Sequence, residues 1–96
     1  MLKVVAKRHL LPGVKEAYFS LVKPLVEQTR QEPGCIDYAL CYNEAENTAA
    51  MIETWQDEAA LDAHLQKLRA SEFPAKMNAL TDMTCAPSPE KYYCIY

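Results

Sequence analysis

Apolar positions recur along this chain with two different periods, and each change of period marks an element. Leu2–His9 is short and rich in β-branched residues, which reads as a strand. Leu11-Pro-Gly13 is a turn. From Val14 the apolar positions fall at Val14, Ala17, Tyr18, Leu21, Val22, Leu25, Val26 and Thr29, the i, i+3, i+4, i+7 stripe of an amphipathic helix. Pro24 lies inside that stripe and removes a backbone donor, so a kink is expected there. Glu32-Pro33-Gly34 ends the helix. Cys35–Tyr42 then returns to a strand pattern, Asn43–Asn47 is a polar hairpin loop, and Thr48–Trp55 is the return strand. Asp57 is placed to cap a following helix, because its carboxylate can accept the orphan N–H bonds of a first turn. That helix carries Ala60, Leu61, His64, Leu65 and Leu68 on one face. Ser71 is placed to cap a further short helix with Phe73, Met77 and Leu80 inward. Pro87 and Pro89 mark a loop, and Glu90–Tyr96 reads as a last strand.

The order β-α-β-β-α-β predicts an α+β fold of the ferredoxin-like, split βαβ type: a four-stranded antiparallel sheet with helices on one face. Alternation assigns the faces. In the second strand Ile36, Tyr38, Leu40 and Tyr42 point one way and Cys35, Ala39 and Cys41 the other. In the third, Met51, Glu53 and Trp55 oppose Ala50, Ile52 and Thr54; in the last, Tyr92, Cys94 and Tyr96 oppose Tyr93 and Ile95. Both faces carry many apolar residues, whereas a sheet with one wet face alternates cleanly with polar ones. Helices can cover only one face, so a second copy is expected to cover the other, as a homodimer with sheets face to face.

Composition narrows the function classes. The 96 residues suit a single domain, 1–96, whose core is thin. A net charge of −3 and a pI near 5.3 argue against a nucleic-acid partner, which demands a basic footprint. No run of 18 apolar residues is present, so no membrane span is expected. The opening Met-Leu-Lys-Val-Val-Ala-Lys-Arg-His9 reaches charge too early for a signal peptide, and a cytoplasmic location is expected. Cys35, Cys41, Cys85 and Cys94 form no C-x-x-C pair or zinc spacing; free, buried thiols are expected, and no metal site.

Three segments together resemble the antibiotic biosynthesis monooxygenase family, which includes small quinol monooxygenases: Leu11-Pro-Gly13 opening the first helix, Glu32-Pro-Gly-Cys-Ile-Asp-Tyr38, and Glu53-Thr-Trp55 followed by Ala60-Leu-Asp-Ala-His-Leu65. The resemblance runs over nearly the whole chain. It implies a dimeric α+β barrel with a pocket between sheet and helices in each subunit. It also implies, for several members, oxidation of electron-rich phenols or quinols by O2 with no cofactor. The family has other branches, among them haem degradation and processing of a small signalling sugar derivative, so fold is better fixed than reaction. The haem-degrading members use an Asn on the first strand and a His after the third. Here the first strand holds no Asn, and no histidine follows His64, which speaks against haem.

The candidate chemistry follows from the substrate. Triplet O2 reacts slowly with a closed-shell phenol and faster with its anion, so a base starts the reaction and a donor steadies the oxyanion. His64, on the sheet-facing side of its helix, suits the base; equally, it suits a buried histidine satisfied by a carbonyl or by Glu53. Glu53, mid-strand among apolar neighbours, must be paired: it orients His64, acts as a base itself, or forms a salt bridge to Arg8, Lys3 or Lys7. Trp55, Tyr38, Tyr42 and Met51 are candidate substrate-binding walls, each also explicable as packing. His9 and Arg69 read as surface residues. The expected partners are a small aromatic or quinol-like substrate and O2. The competing classes on the same fold are a non-oxidative isomerase and a small-metabolite binding or stress-related protein.

Overall fold

A computed structural model describes residues 1–96. The elements are β1 (Leu2–His9), α1 (Lys15–Thr29), β2 (Cys35–Asn43), β3 (Thr48–Trp55), α2 (Glu58–Arg69), α3 (Phe73–Ala79) and β4 (Glu90–Tyr93). The sheet order is β2-β3-β1-β4 with every neighbouring pair antiparallel, which is the split βαβ arrangement read from the sequence. The helices take one face. Leu2 and Val4 of β1 and Met51 and Trp55 of β3 are buried there against Tyr18, Val22, Leu25 and Val26 of α1, Leu61 of α2 and Met77 of α3. Burying each such side chain contributes roughly 1.5–3 kcal/mol.

Local chemistry sets the element ends. Asp57 Oδ1 accepts from the Ala60 N–H at 2.9 Å and starts α2; Lys67 and Arg69 in its last turn complement the helix dipole. Ser71 Oγ accepts from the Phe73 N–H at 3.2 Å, although Glu72 is the residue at the α3 cap position. α1 runs unbroken through Pro24, which lies on its exposed side with Ser20. Water can serve the Ser20 carbonyl that proline leaves without a donor.

Three expectations are corrected. A β-bulge interrupts β2, so Cys35 pairs with Trp55 and Asp37 with Thr54. The extra residue puts Cys35 on the helix-facing side and leaves Ile36 half-exposed, because a bulge resets the alternation that assigns faces. The last strand ends at Tyr93 rather than Tyr96, although the Cys94 N–H still donates to the Met1 carbonyl at 3.0 Å. The four thiols are free but not buried: Cys41, Cys85 and Cys94 are exposed.

Candidate active site

Glu32 and His64 arrive from opposite directions. α1 ends in tight turns, with the Glu32 N–H donating to the Thr29 carbonyl at 3.0 Å and the Cys35 N–H to the Glu32 carbonyl at 3.1 Å. This holds the Glu32 side chain over α2, where its Oε1 lies 2.9 Å from His64 Nδ1. Facing a carboxylate, Nδ1 is the donor of this contact, and in the neutral ring that tautomer leaves the lone pair on Nε2. The imidazole is buried. It lies against Trp55, with ring centroids 4.8 Å apart and planes 33° apart, and Tyr38 meets it edge-on at 5.5 Å. A carboxylate and two aromatic rings therefore fix both its tautomer and its plane.

Glu53 has a different partner from either expected one. Its Oε1 accepts from the Trp55 indole N–H at 2.9 Å, two residues along the same strand face. Of the three expected cationic partners, Lys3 donates to Thr54, Lys7 pairs with Glu90, and Arg8 donates to Asn78 and Thr81. The carboxyl is thus buried without a counter-charge. Burial, reinforced by the nearby Glu32 charge and opposed by the indole hydrogen bond, pushes its pKa up to about 7. Glu53 is poised to hold or release a proton near neutral pH, the condition for general acid–base work.

Between the sheet and α2 and α3 lies a cavity of about 310 Å³. Val4, Ala6, Met51, Leu61, Leu65, Leu68 and Met77 give it apolar walls, and Tyr18, Tyr38, Glu53, His64 and Arg8 give it polar atoms. The only fully enclosed side-chain polar atom without a partner in the whole chain is Thr29 Oγ1. Glu53 Oε2 and the Tyr18 and Tyr38 hydroxyls also have no protein partner, so they keep open space beside them, and the cavity is that space. His64 Nε2 is free in the same sense; His64 lines the cavity and also a shallow groove on the far side of α2 that includes Glu32, Gly34 and Lys67. Burial raises the pKa of both tyrosines, for Tyr38 strongly and with help from Glu53, so both hydroxyls remain proton donors. The arrangement can accept a proton from a bound group and donate hydrogen bonds to the oxygen left behind. No three His, Cys, Asp or Glu side chains converge in a way that could hold a metal ion.

Of the residues singled out in the sequence, His64, Glu53, Tyr38 and Met51 line one cavity. Trp55 does not: it is fully buried and acts behind the wall, on Glu53 and His64. Tyr42 is elsewhere, at the far end of edge strand β2, with its hydroxyl on Asn47 and its ring edge-on to Phe19 at 5.2 Å. His9 and Arg69 are exposed, as read. Three residues were missed. Tyr18 was absorbed into the core stripe of the first helix, Glu32 was read only as a helix stop, and Arg8 only as an ion-pair partner. The separation of 32 positions between Glu32 and His64 leaves no periodic signal.

Residues 1–76 match the antibiotic biosynthesis monooxygenase family. An uncharacterized protein of Synechocystis sp. is 36% identical over 85 residues, 88% of this chain, which spans only 56% of that longer protein. YcnE of Bacillus subtilis, provisionally named a monooxygenase, is 36% identical over 66 residues, 68% of this chain and 70% of its own length. A crystal structure of an antibiotic biosynthesis monooxygenase superposes with a TM-score of 0.87 over 100% of both chains at 30% identity. A conserved protein from Methanosarcina mazei Go1 gives 0.81 at 28% identity, over 95% of this chain and 89% of its own. With its motifs, its sheet order and these likenesses in agreement, the chain belongs to the antibiotic biosynthesis monooxygenase family.

Proposed function

We propose that this chain oxidises an electron-rich phenol or quinol with O2 in the cavity between sheet and helices, using its own side chains and the substrate's electrons. The observation that carries the reading is the convergence of Glu53, its pKa raised to about 7, with the Tyr18 and Tyr38 hydroxyls and His64 on one apolar cavity. Glu53 or His64 Nε2 takes the phenolic proton. The tyrosine hydroxyls stabilise the anion, which transfers one electron to O2. The resulting radical pair joins as a carbon-bound peroxide. Its O–O bond breaks as the ring C–H bond gives its electron pair to the new C=O; the departing oxygen takes that ring proton and the proton returned by the base, and leaves as water. One quinol and one O2 give one hydroxyquinone and one water, and the substrate supplies all four electrons. Apolar walls exclude water that would otherwise quench the anion's reactivity. The reading includes a homodimer joined through the outer sheet faces and a cytoplasmic setting, in keeping with the absence of any helix long and apolar enough to cross a membrane.

The test is oxygen uptake and product formation with a panel of hydroquinones and anthrones, comparing wild type with His64→Ala and Glu53→Gln variants of verified fold. Turnover is expected to fall by about 10²–10⁴-fold in a variant that loses the working base. Oxygen uptake no faster than each substrate's own autoxidation overturns the reading for these substrates. One observation favours a second reading: a carboxyl near neutrality beside two hydroxyl donors is also the set an enolising isomerase requires. Substrate conversion with no oxygen consumed selects it.

A further inference from the structure

Arg8 is the cation of the cavity that has no acidic partner. The other two that line it are paired, Lys7 with Glu90 at 3.7 Å and Lys91 with Glu58 at 3.3 Å. Arg8 projects from the helix-facing side of β1 and uses only Nη1, which donates to Asn78 Oδ1 at 2.7 Å and Thr81 Oγ1 at 3.2 Å. Both acceptors are neutral. They clamp one corner of the guanidinium and leave its charge uncompensated. Nε and Nη2 have no protein partner, and neither is an enclosed orphan, so both open to free space. These two nitrogens form the side edge of the guanidinium fork, which matches the two oxygens of a carboxylate. Partial burial weakens the hold of water on this group, and a desolvated cation attracts an anion more strongly than a hydrated one.

The position of Arg8 fixes what such an anion must be attached to. Val4 is paired with Glu53, and Arg8 lies four residues further along β1, about 13 Å between backbone positions at ~3.3 Å per residue. Glu53 and Arg8 both line the cavity, with Ala6 and Met51 paired between them. A bound molecule that reaches both has a hydroxyl at one end, a flat apolar body in the middle and an anion at the other end.

We infer that Arg8 is the anion subsite of this cavity and that the ligand is an aromatic acid, a phenol or quinol bearing a carboxylate across the ring system from its reacting hydroxyl. The inference rests on the proposed phenol-binding role of the cavity but not on oxygen chemistry. Arg8 is a specificity residue: it selects and orients, while Glu53 and His64 handle the proton.

Binding of dihydroxynaphthoic acid and of its carboxamide, the same shape without the charge, tests this by calorimetry or Trp55 fluorescence. Wild type should bind the acid roughly 10–100-fold more tightly than the amide, the range for a charge-assisted bidentate contact. Arg8→Gln should bring the two ligands within about 3-fold of each other, chiefly through loss of affinity for the acid; Arg8→Lys, which keeps the charge but not the fork, should fall between. Equal wild-type affinities, or a preference for the acid that survives in a folded Arg8→Gln protein, overturns the inference, and the wild-type comparison needs no variant to fold. Oxygen uptake is read separately on both ligands. A preference for the acid without oxygen uptake retires the oxygenase reading and leaves the anion subsite standing. Oxygen uptake equal on acid and amide, with equal affinities, does the reverse.

Discussion

Glu53 shows at the scale of one residue how a functional group opposes the fold that holds it. A carboxyl whose pKa is raised from 4.5 to about 7 on folding binds its proton more tightly in the native than in the unfolded chain. Stability therefore falls as pH rises from about 4.5 through 7, and above that the full cost, on the order of 3 kcal/mol, is present. A Glu53→Gln variant keeps an oxygen for the Trp55 indole N–H and has no charge to desolvate. Urea titrations at pH 5 and pH 8 should find this variant close to wild type at the lower pH and more stable by about 2–3 kcal/mol at the higher one. An unchanged difference at the two pH values would show that Glu53 does not ionise in this window. For activity the sign reverses. With Glu53 as the base of the proposed reaction, the ionised form is the active one, so kcat/KM should rise with pH through an inflection near 7, and Glu53→Gln should lose both the rate and that inflection; with His64 as the base, Glu53→Gln keeps most of the rate. A residue that lowers stability where it raises activity marks a working site rather than a packing site.

At the scale of elements, the start of β2 meets α2 with no room for a side chain. Gly34 sits at φ +81°, and a Cβ placed there would lie 2.5 Å from the Ala60 Cβ. Its carbonyl also accepts from the Gln56 N–H at 2.8 Å, tying the start of β2 to the end of β3. Gly34→Ala meets both backbone strain and a clash with a side chain that has no freedom to move aside; about 3 kcal/mol of destabilisation is expected. Gly13, at φ +76° with open space around it, should cost only about 1 kcal/mol on the same change. Chemical denaturation of both variants checks the contrast, and Ala60→Gly should recover part of the loss at Gly34 and none at Gly13. These elements also show what was legible. The helix stripe from Tyr18 to Thr29, the Asp57 cap and the strand order followed from periodicity and capping, which are local signals. The bulge at Cys35–Asp37 was not legible, because one inserted residue leaves no mark on composition while it overturns the faces assigned to Cys35 and Ile36. Glu53, Tyr38 and Met51 were found because strand alternation points them at the helices, and His64 because the helical period turns it toward the sheet. Glu32 was left without a partner and Arg8 was given the wrong one, because ion pairs and hydrogen bonds across 32 or 70 positions depend on how elements meet.

At the scale of the molecule, the outer face of the sheet decides whether one chain suffices. The register places Val5 of β1, Ile52 of β3 and Ala39 of β2 side by side on that face, with Ala50 and Cys41 in the next row. Ile52 is 40% exposed and Tyr92, across from Lys3 on β4, is 55% exposed. No helix packs there, and Lys3, Lys7 and His9 frame the apolar row rather than interrupt it. Two copies related by a two-fold axis would bury these rows against each other, and the outer face would become a second core layer. Ile52 is the residue to change, since it is flanked by Val5 and Ala39 and touches neither the cavity nor the helices. Ile52→Lys sets two like charges near the axis of such a dimer, and the dissociation constant should rise by at least about 100-fold. Sedimentation of wild type at micromolar concentration should give twice the 10.9 kDa of one chain, and the variant should give one chain with an unaltered circular dichroism spectrum. A wild type that sediments as a monomer would remove the face-to-face dimer and leave the exposed Ile52 row without a partner. If the variant is a folded monomer that still binds the aromatic acid with wild-type affinity, each cavity is complete within one chain, and the dimer serves stability; a loss of binding on dissociation would mean that the second sheet braces β1 and β3, the strands that carry Arg8 and Glu53.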